Sequence, residues 1–221
     1  ELLVPGASVY IQRTANPERK TRWDLIGVEK GTRLINMDSQ IPNRVVEEWI
    51  REGHVFDNVT MLRPEKSYGN SRFDLYVEAD GKRIFIEVKG VTLEENGVCR
   101  FPDAPSDRAV KHLEELMKAE KEGYETYVFF VIQMKGVRYF TPNTDTHPAF
   151  AEALRRAAEG GVRVMACDCE VTPDCIRIDS PVDVVLGSPE LKESAGPLVE
   201  WFRASKRDLP WRKRMDAYRV W

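Results

Sequence analysis

The sequence predicts an α/β domain between about residues 42 and 180, preceded by a short β-rich region. Two observations support this fold class. Runs rich in β-branched and aromatic residues alternate with runs whose apolar residues recur at helical spacing. Residues 71–90 read SRFDLYVEADGKRIFIEVKG, in which an Asp-Gly pair separates two strand-like runs and predicts a β-hairpin.

The predicted elements follow one another in a simple order. Three short strands at residues 8–12, 23–28 and 32–35 form the β-rich region. Helices are predicted at residues 42–52, 106–122 and 148–159, with Asn43 and Ser106 as N-caps and glycines at 53 and 123 ending the first two. Further strands are predicted at residues 55–62, 126–132, 137–140, 162–167 and 175–178, and residues 91–104 are expected to form a loop.

Composition indicates a soluble globular protein, because 42% of the residues are hydrophobic and 31% are charged. The longest apolar run, residues 127–132, is too short to span a bilayer, and no export signal is recognised. Four cysteines without such a signal fit reduced thiols better than disulfides or a zinc site, so we expect a cytoplasmic protein without a membrane partner.

The charge of the chain is unevenly distributed, because residues 197–221 carry a charge of +4 and the rest of the chain carries −7. A mildly acidic body does not exclude a local basic groove.

A basic, turn-rich loop precedes Trp23 and contains several arginines. Cations beside an aromatic ring can bind the phosphates and bases of single-stranded or distorted nucleic acid. A solvated loop that its tryptophan anchors to the core is the alternative. For Trp23 we favour the role of anchoring the loop to the core. For the arginines, nucleic-acid binding and simple solvation remain equally good interpretations. The candidate DNA-binding residues are Arg13, Arg19, Lys20, Arg22 and Arg72.

The hairpin carries the candidate chemistry. In its second strand Ile84, Ile86 and Val88 point to one face, while Glu87 and Lys89 point to the other. If Asp74 of the first strand lies nearby, two carboxylates and an ammonium converge, and Mg²⁺ would relieve the repulsion between the carboxylates. An exposed strand face with an ordinary lysine–carboxylate pair explains the same residues. The spacing alone therefore does not distinguish a metal site from such a pair.

Five segments together resemble the sugar fermentation stimulation protein A family over about residues 1–185. They are IPNRVVEEWI, GNSRFDLYVE, IFIEVKGVTL, FPDAPSDRAVKHLEEL and SPVDV. The resemblance implies a partial OB-like β-barrel at residues 1–37 and a PD-(D/E)XK nuclease-like domain at residues 38–185, with a mixed sheet flanked by helices. By this resemblance we expect further N-terminal strands before the segment equivalent to residue 1 in other members, so that residues 1–37 would form an incomplete barrel. Phe73 stands where the class motif has proline.

The resemblance also implies roles for particular residues. Asp74 and Glu87 match the two motif acids and Lys89 the motif lysine, while Glu48 matches the acid of the first helix better than Glu47. Lys111 falls where the class often places a polar helper. The implied metal is Mg²⁺ or Mn²⁺, with Asp74, Glu87 and the Val88 carbonyl as its ligands.

The resemblance therefore implies a DNA-binding protein with a Mg²⁺-dependent nuclease-type site. A DNA-binding regulator of sugar metabolism that does not cleave is the first alternative. An accessory half of a DNA-repair fusion is the second, because the segment PLVEWFRASKRDLPWRKRMDAYRVW resembles the opening helix of an A/G-mismatch adenine DNA glycosylase.

This second resemblance also implies a domain organisation. We expect a linker at residues 186–196 and a truncated glycosylase-like helix at residues 197–221, and we expect the chain to be a fragment of a longer protein. A homodimer and a fused or downstream glycosylase domain are left open as partners.

Overall fold

The computed structural model describes residues 2–14, 18–69 and 71–187. The described residues up to Leu186 form one compact unit. The predicted glycosylase-like segment and nearly all of the predicted linker lie outside the described residues. Within the described ranges, no helix has the length and apolar character needed to cross a membrane.

Twelve strands and three helices are found in this part of the chain. In chain order they are β1 (Val9–Arg13), β2 (Trp23–Lys30), β3 (Arg33–Asn36), α1 (Ile41–Arg51), β4 (Val59–Tyr68), β5 (Ser71–Ala79), β6 (Lys82–Val91), β7 (Leu93–Glu95), β8 (Val98–Phe101), α2 (Asp107–Lys121), β9 (Glu125–Ile132), β10 (Tyr139–Pro142), α3 (Pro148–Glu159), β11 (Arg163–Val171) and β12 (Ile176–Pro181).

A six-stranded sheet in the order β12-β11-β9-β6-β5-β4 forms the centre of the fold. β9 lies parallel to β6 and β11, whereas the pairs at the two ends of the sheet are antiparallel. The predicted α/β class with a mixed sheet is therefore confirmed. Two three-stranded sheets, β1-β2-β3 and β10-β8-β7, complete the described structure.

Helices cover both faces of the central sheet. On one face, Val46 and Ile50 of α1 join a buried cluster with Ile84, Ile86 and Val88 of β6. On the other face, residues of α2 and α3 pack in a second buried cluster around Phe85 of β6 and Phe130 of β9. The alternation predicted for β6 is present, but Glu87 faces a second core instead of solvent, whereas Lys89 is partly exposed.

The hairpin that joins β5 to β6 is confirmed. Asp80 and Gly81 form its turn with φ angles of 53° and 76°. Two successive positive φ angles are characteristic of the tight turns that match the twist of antiparallel strands. This turn sets the register in which Leu75 pairs with Ile86.

Three local predictions are wrong. The strand expected at residues 55–62 begins only at β4, because Asn58 adopts a positive φ of 46° just before it. The loop expected at residues 91–104 contains the hairpin of β7 and β8, whose turn places Asn96 and Gly97 at φ angles of 52° and 82°. Asn43 does not cap α1: the N-cap is Gln40, and the Asn43 amide donates to Asp74 instead.

Gln133 connects the N-terminal sheet to the central sheet. Its buried side-chain amide donates to the backbone and side-chain oxygens of Asn36, at 3.1 and 3.0 Å, and to the Asp38 carbonyl at 3.0 Å. The Asn36 amide in turn donates to the Gln133 carbonyl. These hydrogen bonds hold the end of β3 against the end of β9.

Glu94 of β7 connects the N-terminal sheet to the β10-β8-β7 sheet. Its buried carboxylate contacts Lys30 of β2 at 2.8 Å and Arg33 of β3 at 2.7 Å, and it accepts from the Gly97 amide. Burial by itself raises the pKa of Glu94, but the hydrogen bonds from Lys30, Gly97 and Arg33 outweigh burial and hold the pKa below its ordinary value of 4.5. The carboxylate is therefore ionised at neutral pH.

We expect Gly90→Ala to lower the free energy of unfolding by about 1–3 kcal/mol. An added Cβ would clash with Oε1 of Gln133 and lie 2.9 Å from Cγ of Pro42, and the hydrogen bonds of Gln133 restrain it from moving aside. Urea unfolding measures the change. Gly187→Ala is the control, because a Cβ there meets nothing within 4 Å. Equal stability of both variants would contradict the prediction.

We expect Glu94→Gln to destabilise the protein more at neutral pH than at acidic pH. A pKa that is lower in the folded state adds stability above about pH 4.5, and this stability is lost as the pH falls through the folded-state pKa. Denaturant unfolding from about pH 7 down to about pH 3 should show the two proteins converging. Glu95→Gln, an exposed neighbour, is the control. Parallel curves for Glu94→Gln and the unchanged protein would refute the prediction.

Candidate functional site

The hairpin of β5 and β6 places Asp74 and Glu87 on neighbouring strands. Both residues lie next to the pair that Leu75 forms with Ile86. The Val88 amide donates to Oδ2 of Asp74 at 2.8 Å, and the Asn43 side chain donates to Oδ1 at 3.0 Å. The structure therefore brings together two of the predicted site residues, and α1 contributes to holding one of them.

Glu87 is almost fully buried, with 2% of its surface exposed. Its Oε1 accepts from the Lys89 ammonium and from Nδ1 of His112 on α2. Nε2 of the same imidazole accepts from Arg108 at 3.4 Å, so Nδ1 carries the proton that is donated to Glu87. Burial by itself raises the pKa of Glu87, but the His112 hydrogen bond and the Lys89 charge outweigh burial and lower the pKa.

The other oxygen of Glu87, Oε2, is buried and has no hydrogen-bond partner among the described residues. A buried acceptor without a partner is costly, so this oxygen indicates a place for a ligand. Burial, and then the charge of Glu87, raise the pKa of the neighbouring Asp74. Each carboxylate would be stabilised by a cation placed between them.

The donor set fits a hard divalent cation. Mg²⁺ is commonly held by one or two carboxylates together with water and phosphate oxygens. Asp74 and Glu87 supply two carboxylates, and Oε2 of Glu87 has no hydrogen-bond partner in the part of the chain that the structure describes. The described residues contain no group of three His, Cys, Asp or Glu side chains arranged for a metal. Water, backbone or substrate oxygens would therefore have to complete the coordination shell.

The remaining residues predicted for this site are placed differently. Val88 is buried between Glu87 and Lys89, and its amide binds Asp74, whereas the role predicted for its carbonyl stays a prediction. Glu48 on α1 and Lys111 on α2 both have exposed side chains. Neither forms a described contact with Asp74 or Glu87, so their predicted roles also remain predictions.

Sequence reasoning missed His112 and the contact of Asn43 with Asp74. His112 belongs to the buried stripe of α2, three residues after Ala109 and four residues before Leu116. A histidine at such a position points into the core, where it needs a polar partner. The helical spacing was therefore a signal for a buried histidine, but it does not identify Glu87 on β6 as the partner.

The predicted DNA-binding residues fall into two groups. Arg19 forms an ion pair with Asp24 at 2.9 Å, and Arg72 forms one with Glu65 at 3.3 Å. Arg13, Lys20 and Arg22 are exposed and form no ion pair in the part of the chain that the structure describes. The expected anchoring of Trp23 in the core is wrong, because 54% of its surface is exposed.

Three of the four cysteines are buried free thiols, namely Cys99, Cys167 and Cys169, and Cys175 is exposed. Burial raises the pKa of each buried thiol to about 12. These thiols are therefore protonated at neutral pH and pack as small apolar groups.

Comparison with known families agrees with this architecture. The family model described as the sugar fermentation stimulation protein RE domain matches residues 40–175. The family model described as the SfsA N-terminal OB domain matches residues 1–37. The chain belongs to the sugar fermentation stimulation protein family. The family resemblance expected over residues 1–185 is thereby confirmed, and so is an N-terminal OB domain.

Relatives in this family span nearly the same region. The sugar fermentation stimulation protein homolog of Clostridium beijerinckii is 58% identical over 186 residues, which cover 84% of this chain and 82% of that protein. The homolog of Desulfitobacterium hafniense strain DSM 10664 is 54% identical and covers 84% and 81%. The structure of Pyrococcus furiosus SfsA in complex with Ca²⁺ is 27% identical, with a TM-score of 0.77 and coverage of 83% of this chain and 80% of that chain.

Proposed function

We propose that this member of the sugar fermentation stimulation protein family binds DNA and carries a divalent-metal site of the PD-(D/E)XK nuclease type. The buried Oε2 of Glu87 carries the proposal, because it has no hydrogen-bond partner among the described residues and its carboxylate lies beside that of Asp74 on the neighbouring strand. Lys89 beside the pair adds the positive charge that a phosphodiester would require.

Asp74 and Glu87 would hold Mg²⁺ or Mn²⁺, with the Val88 carbonyl as a further candidate ligand. Two observations support a divalent metal here: the chemistry of the two carboxylates, and the solved complex of Pyrococcus furiosus SfsA with Ca²⁺, which also prefers oxygen ligands. When bound, such an ion activates water and neutralises charge on a phosphate group.

The chain's own residues would divide the remaining tasks. Glu87 stays ionised because His112 and Lys89 favour its charged form, so it can bind a cation at neutral pH. His112 acts as a positioning residue, since its Nδ1–H restrains Oε1 and leaves Oε2 for a ligand. Lys89, whose side chain is partly exposed, would orient the attacking water or stabilise charge on the phosphate.

A DNA-binding regulator of sugar metabolism that does not cleave remains the second candidate. The relatives are named sugar fermentation stimulation protein homologs, which favours a link to sugar metabolism. The same carboxylate pair could then hold a structural cation. An accessory role beside an adenine DNA glycosylase rests only on residues 197–221, which lie outside the described residues.

We expect the protein to cleave DNA in the presence of Mg²⁺ or Mn²⁺ and to lose detectable cleavage in Glu87→Gln and Asp74→Asn. Lys89→Ala should reduce the rate by about 100-fold, because a single preorganised charge contributes this order of magnitude. Supercoiled plasmid and labelled oligonucleotides serve as substrates, with gel analysis of products over time.

Glu95→Gln is the matched control, since Glu95 is exposed on β7 and pairs with Arg100. Glu48→Gln and Lys111→Ala measured in parallel decide whether these exposed residues take part. Cleavage that persists in Glu87→Gln would overturn the catalytic assignment. Intact DNA under every metal condition, together with salt-sensitive binding, would favour the regulator.

We expect His112→Ala to weaken Mn²⁺ binding by about 10- to 100-fold, the usual effect of removing a group that orients a metal ligand. His112→Asn should retain more affinity, because its amide can donate to Glu87 as Nδ1 does. Isothermal titration calorimetry measures the affinity independently of cleavage. Equal Mn²⁺ affinities for the alanine variant and the unchanged protein would contradict the positioning role.

A further inference from the structure

The N-terminal sheet exposes a tryptophan on the same face as an arginine. Arg13 of β1 pairs directly with Trp23 of β2, and two residues along each strand Ile11 pairs with Leu25. Paired residues and alternate pairs share one face of a sheet. Trp23 and Ile11 are 54% and 55% exposed, so this face presents two large apolar side chains to solvent.

Arg13 lies on this face, and Lys20 and Arg22 belong to the chain that leads into β2. Arg13, Lys20 and Arg22 are exposed, and across the described ranges their side chains form no ion pair. Arg19 differs, because Asp24 neutralises it at 2.9 Å. Unpaired positive charge beside an exposed ring contrasts with the net negative charge of the whole chain, which is −3.

An exposed indole ring beside cations suits one kind of ligand best. The ring face can be covered by a nucleobase only when that base has left its own stack, as it has in a single strand. Phosphates that alternate with the bases would then meet the neighbouring cations. A duplex offers phosphates but keeps its base faces covered, so it would leave the ring exposed.

We propose that the surface formed by Arg13, Lys20, Arg22 and Trp23 binds single-stranded DNA, with one base stacked on Trp23 and phosphates on the three cations. The inference rests on the proposed function, since it names the form of DNA that the protein holds. It concerns residues of β1, of β2 and of the chain that leads into β2, apart from the carboxylates of β5 and β6.

The test is fluorescence anisotropy with a labelled thymidine oligonucleotide of about 20 nucleotides, which exceeds the site size of one OB domain. EDTA is present, so metal-dependent cleavage cannot contribute. Trp23→Ala should weaken binding by about 10-fold or more, because one stacked base contributes this much, and Trp23→Phe should retain most of the affinity. A blunt duplex of equal length should bind both variants as it binds the unchanged protein.

Val4→Ala is the control, because Val4 is 56% exposed and lies outside β1 and β2. Arg13→Gln, Lys20→Gln and Arg22→Gln should each reduce the slope of log affinity against log salt concentration by about 0.7. Binding should also quench tryptophan fluorescence, and Trp23→Phe should remove this quenching. The fluorescence measurement keeps the test decisive if Trp23→Ala does not fold.

Unchanged oligonucleotide affinity in Trp23→Ala, or quenching that persists in Trp23→Phe, would overturn the inference. Equal losses for single strand and duplex would also overturn it, as would tighter binding of an equivalent uridine oligoribonucleotide. The two proposals fail separately: intact DNA under every metal condition refutes cleavage even if Trp23 binds the oligonucleotide in EDTA, whereas unchanged strand affinity in Trp23→Ala refutes this inference even if the protein cleaves DNA.

Discussion

The charge of Glu87, buried in the middle of the central sheet, is the constraint on which the site depends. A carboxylate with 2% exposure is stable only when cations or hydrogen-bond donors surround it. Lys89 supplies one from the same strand, and His112 supplies the other from α2. The packing of α2 on the sheet therefore affects the charge of Glu87 as well as the core, because a shift of this helix would remove the hydrogen bond from His112.

Polar contacts also determine how the N-terminal sheet is held. Gln133 and Glu94 bind the ends of β2 and β3 through buried hydrogen bonds and ion pairs, so the described residues up to Leu186 form one compact unit. Gly90 follows Lys89 directly and leaves room for Gln133. The strand that carries the candidate metal ligands is therefore packed against the residue that anchors the N-terminal sheet.

Two surfaces with different physical properties follow from this arrangement. The carboxylates of the buried Glu87 and the half-buried Asp74 lie side by side, which favours a metal and a phosphodiester. On the β1–β2 face the exposed Trp23 lies beside Arg13, which forms no ion pair within the described ranges, and this favours an unstacked base. A protein that holds a single strand at one surface and a phosphodiester at the other would select its DNA by strand form before any reaction.

Local turn chemistry, periodicity and motif order were enough to predict the α/β class, the hairpin around Asp80 and Gly81, the cap of α2 at Ser106 and the family. The burial of Glu87, its contact with His112 while Lys111 is exposed, and the position of Trp23 outside the core became visible only in the folded chain. The physical reason is that periodicity indicates which face of an element is buried. It does not indicate which distant residue covers that face, and partners such as Glu87 and His112 are 25 residues apart in the chain.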